Sequence, residues 1–310
     1  MGKADRNRQQ SARAKIAAQQ ASAERAEQRR KVLIAVGGAA VVLVLVVVLV
    51  VIKLAGGSSG KTLGAGTTTA SATVATSVSR DIATVPSAAL DKVAAGPAYP
   101  APGSVYPNAI KAIKPAGPAL ASNGKPEVVY VGAEYCPYCA AERWALSVAL
   151  SRFGTFSGLR LIHSSSSDVD PNTPTLSFYK ATYVSKYLTF ATTEAQTVSK
   201  APLQPLTALD KSLLARYDVP PYVPSGYSGS FPFVDFGNKF VIDGASYDPG
   251  LLANLTWQQI AADLKDPSSP AGKAIDTAAN HITAAICKIT NNQPGDVCTS
   301  TGVTSASGSI

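Results

Sequence analysis

The chain has 310 residues, 28 Lys and Arg against 20 Asp and Glu, a net charge of +8, and a composition that is 46% hydrophobic but only 15% charged. Such a chain buries a core, which excludes full disorder. Nine of the basic residues and three of the acidic ones fall within residues 1–31, so the charge belongs to a tail and not to a nucleic-acid-binding face. No nucleic-acid partner is implied.

In chain order, the basic tail runs into residues 32–52, twenty-one residues without a charged side chain. At 1.5 Å per residue they match a bilayer core of about 30 Å and predict one transmembrane helix. A cleaved signal peptide would have a shorter apolar core and a small-residue cleavage site. The Lys and Arg excess before the span places the N-terminus in the cytoplasm and everything after residue 53 outside it, so the lipid bilayer is itself a predicted partner. Residues 53–95, rich in Gly, Ser, Thr and Ala, predict a flexible linker with a short helix at Ser87–Val93. The folded domain is expected over residues 96–300, and residues 301–310 as a loose tail.

Within the domain, residues 127–133 (EVVYVGA) predict a buried strand and residues 136–152 a helix with Ala140, Trp144 and Val148 on one stripe. A second strand is expected at 159–163. Residues 176–179 and 187–191 read as a pair of strands with alternating aromatics. Residues 231–236 and 239–242 read as a hairpin turning at Gly237-Asn238. Helices are expected at 256–264, capped by Thr256, and at 272–287. Strand, helix, strand, then hairpin and helices make an α/β class.

Four cysteines, Cys136, Cys139, Cys287 and Cys298, lie beyond the span. An even count in an oxidising compartment favours disulfides, and of three pairings one keeps both pairs local: Cys136 with Cys139 and Cys287 with Cys298. Cys136 falls where a strand ends and a helix begins. Unpaired N–H groups and the helix dipole there stabilise a thiolate. Cys139, one turn on, can resolve a mixed disulfide, and Pro137 suits a first turn that needs no N–H. Cys136 is expected to face solvent as the attacking sulfur. Cys287 and Cys298 flank a turn-rich loop and read as a structural bridge, with an electron relay to the first pair as the alternative. A zinc site would need a second close Cys or His pair; the Cys287–Cys298 spacing and the isolated His163 and His281 do not supply one. No cofactor or metal is implied, and no phosphate loop or hydrolase motif is present.

The run Ala133-Glu134-Tyr135-Cys136-Pro137-Tyr138-Cys139, between strand and helix, resembles the active site of the thioredoxin superfamily. The longer strings GKPEVVYVGAEYCPYCAAERWAL, FPFVDFGNKFVIDGASY and ICKITNNQPGDVC resemble a prokaryotic family of membrane-anchored thioredoxin-like proteins without an assigned function. The likeness implies a mixed sheet flanked by helices, with Cys136 and Cys139 catalytic and with Pro232, Phe231, Tyr135 and Tyr138 contacting substrate. Pro137 and Glu134 would support the site. It also implies a cis-proline opposite the dithiol, at Pro232 in preference to Pro174, which makes residues 171–230 an insertion. The buried acid that thioredoxins carry six residues before the first Cys, to move the resolving thiol's proton, is Tyr130 here; Glu134 and Glu142 are the nearby acids, either to act through water or, the favoured reading, to be solvated at the surface.

The function this implies is a single-pass, extracytoplasmic thiol–disulfide oxidoreductase acting on cysteines of exported proteins, its direction open, with a membrane redox partner to exchange electrons with. The alternative is a non-catalytic binding or assembly module whose Cys136–Cys139 bridge stays closed.

Overall fold

The computed structural model describes residues 71–94, 110–114, 117–223 and 227–310. The basic tail, the apolar stretch 32–52 and most of the Pro-rich stretch lie outside the described residues. Among the described residues no helix is long and apolar enough to cross a membrane.

Two helices, α1 (Ala72–Ala83) and α2 (Ser87–Val93), open the described chain. The strands β1 (Lys111–Ala112), β2 (Ala121–Ser122) and β3 (Lys125–Gly132) follow, then helix α3 (Pro137–Ser151). Five short strands come next: β4 (Gly154–Ser157), β5 (Arg160–His163), β6 (Pro174–Ser177), β7 (Thr182–Ser185) and β8 (Thr189–Glu194). Helix α4 (Ala208–Tyr217), the hairpin β9 (Phe233–Phe236) and β10 (Phe240–Asp243), and helices α5 (Trp257–Asp263), α6 (Pro270–Ile289), α7 (Gly295–Cys298) and α8 (Thr301–Ser307) complete it.

The central sheet is mixed. β3 pairs in parallel with β8, from Glu127 opposite Thr189 to Gly132 opposite Glu194, and antiparallel with β9, from Val128 opposite Phe236 to Val131 opposite Phe233. β10 and β1 extend the sheet beyond β9. Because side chains alternate across a strand, Val128 and Tyr130 enter one apolar cluster with Phe236 and Val234, while Val129 and Val131 enter another with Phe233, Leu213 and Tyr217. Helices α3 and α6 cover the first face, and α4 covers the second. With both faces covered, β3 reads as a continuous apolar run. The β9–β10 turn forms where expected: Gly237 and Asn238 both take positive φ (62° and 58°), and Asn238 N–H donates to Asp235 Oδ1 at 2.7 Å. Thr256 caps α5 in a reciprocal box with Gln259.

Four expectations are corrected. The stretch 171–230 does not stand outside the core as an insertion, because it contains β8, the parallel neighbour of the central strand. The runs at 176–179 and 187–191 do not pair with one another: β6 pairs with β5, and β8 with β3. β8 (TFATTE) hides its strand character because only its last two residues are fully buried and both are polar. Residues 72–93 are not a flexible linker, since α1 and α2 bury Val78, Ile82 and Leu90 in the main core. The tail is not loose over 301–307, where Val303 and Ala306 of α8 are buried. In both terminal segments a few apolar residues at helical spacing hold an Ala- and Ser-rich helix onto α6 or its neighbours.

Candidate active site

β3 ends at Gly132, and the turn Ala133–Tyr135 delivers Cys136 to the N-cap of α3, with Pro137 at its first position. Cys136 Sγ takes the role a Ser or Asp hydroxyl or carboxylate oxygen usually fills there: it accepts the Cys139 N–H at 3.3 Å. The same sulfur donates its proton to the Phe231 carbonyl at 3.5 Å. The Phe231–Pro232 peptide is cis, as are those before Pro221 and Pro294. Pro174 instead lies in β6, where its carbonyl accepts the Trp144 indole N–H at 2.9 Å.

Cys136 lines a cleft of about 700 Å³ with Tyr135, Pro137, Tyr138 and Phe231. It does not stand out in solvent, as expected from sequence, but is 6% exposed because the Phe231–Pro232 strip closes over it. Cys139 lies behind it, fully buried, and both are free thiols. At the rim, Lys200 Nζ sits 4.8 Å over the Tyr135 ring and 3.4 Å from Asp168.

The two sulfurs are driven apart electrostatically. The hydrogen bond from the Cys139 thiol, against the cost of burial, lowers the Cys136 pKa. The Cys139 N–H, the Arg143 charge and the Tyr138 N–H act in the same direction. Burial first, then the neighbouring Cys136 sulfur, raises Cys139 well above the usual thiol range, while Arg143 partly offsets them.

Arg143, which sequence reasoning passed over, lies one turn beyond Cys139 on the same helix face. Helical spacing of four was the available signal. Its Nε and Nη2 bind Glu194 of β8 in a two-pronged ion pair, 2.8 Å each, with both side chains fully buried. Nη2 also donates to the Ala133 carbonyl at 2.7 Å, which fixes the turn before Cys136. Arg143 Nη1 and the hydroxyl of Tyr130 have no hydrogen-bond partner, and the guanidinium carbon is 6.0 Å from the centroid of the Tyr130 ring.

Neither expected surface acid is at the surface. Glu134 is buried because Arg160 and Ser177, at 2.7 and 2.6 Å, bind its Oε1, tying the β5–β6 hairpin to the active-site turn. It does not line the cleft. Glu142 is fully buried; its Oε2 accepts the Ser246 N–H at 2.8 Å, and burial pushes its carboxyl up to about 7. His163 packs on Trp257, with ring centroids 4.4 Å apart, and His281 binds the Thr277 carbonyl and Ser309.

Cys287 of α6 and Cys298 of α7 form a disulfide, with Cα atoms 5.7 Å apart. Neither lines the Cys136 cleft. Among the described residues no group of three or more His, Cys, Asp or Glu side chains could hold a metal ion.

A family model described as a domain of unknown function (DUF929) matches residues 111–288, more than half the chain, and the chain belongs to that family. No curated protein and no solved structure matches it.

Proposed function

We propose that this DUF929 domain is a thioredoxin-like thiol–disulfide oxidoreductase, held outside the cytoplasm by the apolar segment 32–52 and acting on cysteines of exported proteins. One observation carries the reading. Cys136 Sγ caps a 15-residue helix, borders a cleft of about 700 Å³, and has a second thiol directly behind it. The membrane placement rests on the sequence pattern alone.

In the reducing direction, the Cys136 thiolate attacks one sulfur of a substrate disulfide, forming a mixed disulfide and releasing the other substrate sulfur as a thiolate. Cys139 then attacks Cys136 Sγ. Its proton passes to the departing substrate sulfur, and the Cys136–Cys139 disulfide forms as two electrons leave the protein. The oxidising direction is the reverse of these steps. Two features favour the first attack at Cys136 over Cys139: its lowered pKa and its place on the cleft wall. Arg143 and Glu194 are positioning residues in this scheme. Their charges act on Cys139 once its proton leaves, in a position where the sequence offers Tyr130 in place of an acid.

Trapping tests the proposal. Cys139→Ala in the full-length chain should accumulate mixed disulfides through Cys136 with exported, cysteine-containing proteins, and Cys136→Ser/Cys139→Ala should accumulate none. If Cys139→Ala also yields none, the domain is a binding module and the catalytic reading falls.

A further inference from the structure

Two loops are bonded to the active-site turn. The chain after β8 doubles back over residues 195–203, and its Gln196 carbonyl accepts the Glu134 N–H at 2.9 Å. The loop 164–173 joins β5 to β6, and its Ser165 N–H donates to the Tyr135 carbonyl at 2.8 Å. Each loop is braced internally. Thr197 N–H donates to the Ala201 carbonyl and Gln196 Nε2 to the Lys200 carbonyl, both at 2.8 Å, while Asn172 N–H donates to the Ser165 carbonyl at 3.1 Å. The first loop brings Lys200 to the cleft and the second brings Asp168, and both line it.

Four charged residues line the cleft, Lys111, Lys200, Asp168 and Asp243, so their sum alone does not choose a ligand. Exposure chooses at the Tyr135 rim. The Lys200 side chain is 49% exposed and that of Asp168 only 20%. Asp168 Oδ1 also accepts the Val169 N–H at 2.9 Å. The Lys200 ammonium has three donors, and its contacts are the Tyr135 ring face at 4.8 Å and the Asp168 carboxylate at 3.4 Å. An incoming chain therefore meets the cation before the anion. Lys111 instead gives its Nζ to the Tyr222 carbonyl.

Lys180 shows that the local geometry alone is not the signal. It has the same left-handed backbone (φ 63°, against 65° for Lys200), and its Nζ lies 5.2 Å over the Tyr179 ring, yet it does not line the cleft. Only Lys200 holds such a cation on the residue next to Cys136. We propose that Lys200 is a specificity-determining residue that selects, in exported polypeptides, cysteines flanked by an acidic side chain. The carboxylate takes a charge-assisted hydrogen bond from the Lys200 ammonium while the neighbouring sulfur reaches Cys136. The substrate class rests on the thiol-exchange reading. A charge at the rim acts mainly on the rate of encounter, and salt screens it.

The test uses full-length protein carrying Cys139→Ala and three short peptides that differ only in having Glu, Gln or Lys beside one cysteine, each capped as a 2-pyridyl disulfide. The Cys136 thiolate bonds to the peptide sulfur as the capping S–S bond breaks, and pyridine-2-thiolate leaves with the electron pair, takes a proton from water and is read by its absorbance. The parent should react with the Glu peptide about two- to fivefold faster than with the Gln peptide, the range of an exposed ion pair, and slowest with the Lys peptide. At about 1 M salt, where the screening length is about 3 Å, the preference should fade. Lys200→Gln should bring the Glu-to-Gln ratio to about one, Lys200→Glu should invert the order, and Lys180→Gln should keep the parent's ratio. A parent ratio of about one, or a preference that survives Lys200→Gln, would overturn the proposal and leave exchange at Cys136 standing. No reaction with any of the three peptides would sink the exchange reading and take the substrate class with it.

Discussion

The two cysteine pairs of this chain have similar sequence credentials and opposite environments. Cys287 and Cys298 are bonded and packed within the main apolar cluster, one on a 20-residue helix and the other at the end of a short one. Cys136 and Cys139 are unbonded, with one sulfur on a cleft wall at a helix start and the other behind it, next to a buried ion pair. Both pairs are buried, so burial alone does not distinguish structural from reactive sulfur. What differs is polar surroundings: N–H donors and a cation at the first pair, and apolar packing at the second.

Removing the cation tests that distinction most severely. Arg143→Leu leaves Glu194 as an unpaired charge in a dry interior, a change that costs about 3–5 kcal/mol. Because the Arg143 charge lowers both thiols, Cys136 should also titrate at higher pH in the variant. Denaturant unfolding reads the first effect, and the pH profile of Cys136 alkylation reads the second. Because the first effect alone can unfold the Arg143→Leu protein, Glu194→Gln serves as the second variant: it keeps the cation and a side-chain oxygen to accept from it, and by removing the counter-charge should shift Cys136 downward. If neither variant moves the Cys136 profile, the ion pair is scaffold and has no bearing on the sulfurs.

Opening the other pair should separate stability from chemistry. Cys287→Ala with Cys298→Ala removes a cross-link around a short loop, which the chain-entropy model values at about 3 kcal/mol. Unfolding should shift by that order while Cys136 alkylates at an unchanged rate in the folded protein. A slowed exchange at Cys136 would revive an electron relay between the pairs, for which the cleft lining gives no support.

The sequence shows the first pair more clearly than its supports, for physical reasons. Cys136, Pro137 and Cys139 are local: strand end, N-cap and first turn follow one another, and the Phe231-Pro232 and Gly237-Asn238 signals are equally local. The ion pair is not, because Glu194 lies 51 residues from Arg143, at the end of a short strand (TFATTE) that is half threonine. The terminal helices are misread from composition, since Ala- and Ser-rich segments resemble linkers until a large helix offers their few apolar residues a surface. Glu134 and Glu142 show the limit of charge as a guide to exposure. Each is bound from a distant part of the chain, Glu134 by Arg160 of β5 and Glu142 by the Ser246 N–H.

Glu142 gives the smallest effect and the sharpest control, because it sits on the helix of the first pair, three residues beyond Cys139, without a part in its chemistry. Burial raises its carboxyl to about 7 in the folded chain, against an ordinary value near 4.3 when unfolded. In that window the folded state holds more protons than the unfolded state, so this group makes stability fall as pH rises and contributes most in acid. Glu142→Gln keeps an acceptor for the Ser246 N–H and abolishes the titration. Relative to the parent, the variant should therefore gain about 2 kcal/mol between pH 5.5 and 7.5, with its Cys136 alkylation profile unmoved. Asp235 and Asp276, raised to about 7 and about 8 by burial, keep their own share, so the variant's stability still declines with pH, only less steeply. An equal difference at both pH values would mean that Glu142 is ionised in the folded chain, and a shift in the Cys136 profile would place it among the groups that tune the sulfur.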